Sequence, residues 1–160
     1  MVKYNMLVIL NNLKHCQVVD LSGNNLILDS QDIFIKSGLN MLQNTILSNC
    51  SITTLHPRTF AGLHSLNHLD LSNNLLVQFP AHIFQFIPQI GSLTLAGNSL
   101  STIKQRHFLN LHGLHTLDLS NCSICYINNP PFLLIYHFSG RVNNRRAQLV
   151  GYLLDQKNGK

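Results

Sequence analysis

Residues 66–76 read Leu66-Asn67-His68-Leu69-Asp70-Leu71-Ser72-Asn73-Asn74-Leu75-Leu76, and Phe79, Phe84 and Ile87 follow. Leu69 and Leu71 flank one polar residue, the period-2 alternation of a strand with one buried face. The stretch returns 24 residues later as Ile90, Leu93, Leu95, Asn98, Leu100, Ile103, Phe108 and Leu111. It returns again as Leu114, Leu117, Leu119, Cys122, Ile124, Ile127, Phe132 and Ile135. Upstream, Leu42, Thr45, Leu47, Cys50, Ile52, Leu55, Phe60 and Leu63 fit with one polar substitution, and Cys16, Val19, Leu21, Asn24, Leu26 and Phe34 fit again. Phe34, Phe60, Phe84, Phe108 and Phe132 are therefore spaced by 26, 24, 24 and 24 residues, with two extra residues near Ser37-Gly38 read as a small loop insertion. A fixed period of this length marks a stacked repeat array.

One repeat cannot bury its own leucines, so neighbours stack to make a continuous core, and strands stacked in order form a parallel sheet. The slot held by Asn24, Cys50, Asn74, Asn98 and Cys122 has its own reason. Turning backbone inside the coil leaves N–H and C=O groups that need partners. An Asn amide carries two donors and an acceptor, so a column of them can serve the turns of adjacent repeats. Cysteine fills the slot as a small, weakly hydrogen-bonding substitute. The five phenylalanines are expected to form an aromatic spine on the convex side.

The pattern LxxLxLxx(N/C)xL followed by xLxxxxFxxLxx resembles the leucine-rich repeat family, over about residues 13 to 137. The 24-residue length with its late Phe is similar to the typical subtype of animal cell-surface and secreted proteins, such as Toll-like receptor ectodomains and chaoptin. The resemblance implies an α/β solenoid: a horseshoe with a parallel concave sheet and an irregular or short-helical convex side. It also implies a protein ligand or co-receptor held on the concave face, and an extracellular or cell-surface location.

Composition sets further bounds. The chain has 160 residues and a formal charge of +5, enough for one domain with a buried core. The charge is concentrated at the end, where Arg141, Arg145, Arg146, Lys157 and Lys160 face only Asp155. The array is accordingly read as residues 1–137, and 138–160 as a basic tail, a candidate for disorder, whose repeat register is lost at Arg141 and Asn143. No aromatic-basic stripe accompanies the charge, so no nucleic-acid partner is expected. The longest apolar runs, Met6 to Leu10 and Phe132 to Tyr136, are far short of the roughly 20 residues of a membrane span. No signal-peptide pattern and no cysteine-rich caps are read at the ends. These features lead to the expectation of a piece of a longer surface receptor, with an intracellular scaffold or a nonfunctional gene fragment as alternatives.

The concave rows follow from the repeat register. They are Asp20, Ile46, Asp70, Thr94 and Asp118; Ser22, Ser48, Ser72, Ala96 and Ser120; Val18, Asn44, His68, Ser92 and Thr116; and Gln17, Gln43, Asn67, Gly91 and His115. His68, Asp70, Asn73, His115, Asp118 and Asn121 are the expected ligand contacts, chosen as exposed groups able to hydrogen-bond. Asp-Leu-Ser is also an ordinary filling of this motif, so a purely structural role for the aspartates competes. His68, Asp70 and Ser72 do not make a hydrolytic triad, because alternate strand residues stand about 7 Å apart and a triad needs about 2.6–3.2 Å. Cys122 and Cys125 have the spacing of half a zinc site, but no second pair exists and the column position explains Cys122. The chain contains no Glu and no phosphate-binding glycine loop, so neither enzyme activity nor a cofactor or metal is expected. Asn49-Cys50-Ser51 and Asn121-Cys122-Ser123 are N-glycosylation sequons at one repeat position. They mark Asn49 and Asn121 as possible glycan sites, or arise from the repeat consensus itself.

Overall fold

The computed structural model describes residues 10, 13–28, 32–104, 107 and 110–123, and the backbone of 126–128. Five strands form one parallel sheet: β1 (Val18–Asp20), β2 (Asn44–Ile46), β3 (His68–Asp70), β4 (Ser92–Thr94) and β6 (Thr116–Asp118). Their order in space is β1-β2-β3-β4-β6, the order of the chain. Val19, Thr45, Leu69, Leu93 and Leu117 lie side by side across it. The register advances by one repeat at each step, and the insertion near Ser37 leaves it intact. That is the parallel sheet expected from the periodicity, and the concave sheet the resemblance implies.

Burial explains why the rungs cannot stand alone. Leu47, Leu69, Leu71, Leu93 and Leu95 are 0 % exposed, and each is covered by the rungs on either side. Full burial of such a side chain stabilises by ~1.5–3 kcal/mol. Thr45 takes the leucine position in rung two, equally buried, and its Oγ1 has no hydrogen-bond partner.

The outer side changes character along the array. Rung one carries the α-helix α1 (Ile33–Ser37), ended by Gly38 at φ 70° with its N–H on the Ile35 carbonyl. The two inserted residues therefore close a helical turn. Rung three carries a 3-10 helix, Ala81–Phe86. Rung four carries the strand β5 (Thr102–Lys104), at the position residues 78–80 hold in rung three, and β5 pairs in parallel with β7 (Tyr126–Asn128) of rung five. This second, two-stranded sheet was not anticipated among irregular or helical outer segments. Phe34, Phe60 and Phe84 are buried. Phe34 stacks on Phe60 at 5.5 Å between ring centroids, while Phe84 packs at 5.5 Å against Phe79. Phe108, Phe132 and the tail from 138 onward lie outside the described residues.

Candidate functional site

The concave face is built by the turns that leave each strand. Beyond the strand ends the ladder continues: the N–H groups of Leu21, Leu47, Leu71 and Leu95 donate to the carbonyls of Ile46, Asp70, Thr94 and Asp118. The chain then bends at Gly23, Asn49, Asn73, Gly97 and Asn121, with φ between 53° and 73°. Left-handed backbone favours Gly and tolerates Asn best among other residues. The Asn or Gly in this column thus has a conformational reason. Asn73 and Asn121, expected as contacts, and Asn49 and Asn121, expected as glycan sites, are all exposed at these bends.

Asp20, Asp70 and Asp118 share one task. Each Oδ1 accepts the N–H of the serine two residues on, at 2.9, 2.8 and 2.8 Å. The Asp-Leu-Ser recurrence is this turn written in sequence. At Asp20 the Ser22 hydroxyl and N–H hold the carboxyl below its ordinary value. His68, Asp70 and Asp118 are half-buried and His115 is exposed. The Asp70 carboxylate is committed to the Ser72 backbone.

Behind the bends runs the Asn/Cys column. The Asn74 Oδ1 accepts the N–H groups of Cys50 and Ile52, both at 3.0 Å. Its Nδ2 donates to the carbonyls of Leu47, Leu71 and Ser72. Asn98 repeats the arrangement, accepting from Leu76 and donating to Leu71 and Leu95. Cys50 and Cys122 keep the donor: their Sγ atoms reach the carbonyls of Leu21 and Leu95 at 3.1 and 3.2 Å. Burial raises both thiols above their ordinary value. Asn24 donates to Leu21 and Ser22 yet is exposed, and its rung carries the edge strand β1 of the sheet. Cys125 lies outside the described residues, and among those described no group of His, Cys or Asp is placed to hold a metal.

One concave feature escaped residue-by-residue reading. A Cβ on Gly91 would run into the Asn67 Oδ1 and would lie 2.6 Å from the His115 Nε2. Asn67 and His115 therefore lean together over the glycine backbone of rung four, and Asn67 joins the candidate face. The signal was the lone Gly in the row Gln17, Gln43, Asn67, Gly91, His115.

Models of leucine-rich repeats match residues 40–100 and 113–134. No curated protein sequence matches the chain. Among solved structures, the fold is similar to a chain in the crystal structure of a TLR13–ssRNA13 complex, with TM-score 0.57 and 23% identity. That match covers 72% of this chain and 17% of the other, so this chain spans a small part of its neighbour's length. At such identity the likeness concerns the fold alone. Among the described residues no helix is long and apolar enough to cross a membrane. The stacked rungs, the side-chain amide column and the repeat models lead to one conclusion: the chain belongs to the leucine-rich repeat family.

Proposed function

We propose that the chain is a non-catalytic protein-binding module, part of a cell-surface or secreted receptor or adhesion protein, that takes a protein partner on its concave face. The observation that carries this is the unbroken five-strand register, which sets His68, Asp70, His115 and Asp118 in fixed rows with Asn73 and Asn121 along the rim. A rigid curved surface with side chains held before binding loses little entropy on association. A few anchors then carry most of the affinity. The structural neighbour is held in a complex with an RNA. Phosphate contacts come chiefly from Lys and Arg, and the four concave rows of this chain contain three aspartates and neither Lys nor Arg. A protein with a basic or hydrogen-bonding surface suits them better.

A photo-reactive amino acid placed at His68, and in a second protein at the outer position Gln85, tests this on cells displaying candidate surface proteins. The reading expects a defined cross-linked protein from position 68 and not from 85. Cross-linking only from position 85 would contradict it.

An intracellular scaffold using the same face is the second reading, favoured by Cys16, Cys50 and Cys122 being free thiols. Glycosidase treatment of the native protein separates the two. A mass loss that disappears in Asn49→Gln and Asn121→Gln places the chain in the secretory pathway. Secreted protein carrying no glycan at either position would remove these sequons from the account.

A further inference from the structure

The outer side holds a cleft of about 720 Å³ between rungs three and four. Its origin is local. Rung four carries β5 at the repeat position that residues 78–80 hold in rung three, just before the 3-10 helix. Rung three has no strand there, and Pro80 has no N–H to offer β5. Among the described residues β5 pairs with β7 alone.

The lining has a definite chemistry. Gln78, Gln85, Asn110, Ser101 and Thr102 contribute amides and hydroxyls, and Lys104 contributes an ammonium. Among the described residues no carboxylate lines the cleft. Among the described residues Lys104 has no ion-pair partner, since the salt bridge present there joins Arg58 to Asp32. The position of Lys104 is fixed from behind. Its N–H donates to the His107 Nδ1 at 3.3 Å, and the His107 ring stacks on Phe79 at 5.1 Å.

We propose that this cleft binds an acidic sugar. Side-chain amides and hydroxyls both donate and accept, which matches the donor-acceptor character of sugar hydroxyls. The Lys104 ammonium matches an anionic group on such a sugar. A phosphate-rich polymer would call for several cations, and among the described residues the lining offers one lysine. The site faces away from the concave surface, so its occupancy is independent of the partner proposed there.

Titration of the 160-residue chain with a hyaluronan tetrasaccharide, a heparin-derived tetrasaccharide and neutral chitotetraose tests the proposal, with amide shifts of Thr102 and Lys104 as readout. The proposal expects saturable binding of at least one acidic tetrasaccharide, with the pair distinguishing carboxylate from sulfate, and no saturation with chitotetraose. Lys104→Gln should weaken binding at least tenfold and Gln85→Ala severalfold. Gln85 is exposed and Lys104 half-buried, with neither in the leucine core, so the fold is expected to persist. Failure of both acidic sugars to bind would overturn the assignment, as would equal binding of chitotetraose. So would binding that survives both substitutions, as an interaction with the basic tail would.

Discussion

Asn74 shows how much one side chain carries in this fold. Its amide serves two N–H groups of rung two and three carbonyls of rungs two and three. Each buried group left unpaired costs ~1–3 kcal/mol, so Asn74→Ala is expected to destabilise by roughly 3 kcal/mol or more. Asn74→Cys should cost less, because a thiol keeps a donor as Cys50 and Cys122 do. Denaturant midpoints check both. Thr45 gives the opposite sign: replacing its orphan hydroxyl with a methyl in Thr45→Val should stabilise by ~1 kcal/mol. The thiols set an alkaline limit. Burial raises Cys50 and Cys122, so the folded chain keeps protons that the unfolded chain has released. Their stabilising share is intact below the ordinary value of 9.0 and is lost as pH rises through the raised values. Unfolding midpoints at pH 8 and pH 10, compared with a Cys50→Ala, Cys122→Ala variant, should converge at the higher pH. The column was legible in sequence because it recurs. The tasks of the aspartates and rim asparagines were not, since a turn partner and a ligand contact demand the same polar residues there.

At the scale of elements, strands and rungs were readable because period-2 leucines leave no other face to bury. The outer segments were not. α1 and the 3-10 helix occupy versions of one position, and β5 stands at the segment before it, where rung three has Pro80 and no strand. That missing strand partner opens the cleft. The outer side also leaves work for long side chains: the Arg58 guanidinium bonds Asp32 of rung one at 2.7 Å and lies 5.1 Å over the Phe86 ring of rung three. Arg58 and Asp32 are 43% and 26% exposed, so solvent screens the pair and Arg58→Ala should cost no more than about 1 kcal/mol. Equilibrium unfolding of that variant beside Asn74→Ala should rank the amide column well above the outer strap.

Across the whole molecule, stability is a sum over rungs and their interfaces, and the binding face is a product of that stacking. A partner on the concave rows should lose affinity in proportion to the anchors removed. His68→Ala and His115→Ala are each expected to weaken it, by roughly tenfold where the side chain is a central anchor, while Gln85→Ala leaves it unchanged. Titration calorimetry with the cross-linked partner reads this directly. Buried side-chain amides tie each rung to the next and so hold the concave rows in register. Amide hydrogen exchange at Cys50 and Ile52 tests it most directly, because both N–H groups lie outside any strand and are held by the Asn74 Oδ1. The account predicts slow exchange at both, lost selectively in Asn74→Ala while Leu93 stays protected. Fast exchange at Cys50 and Ile52 in the unaltered chain would contradict it.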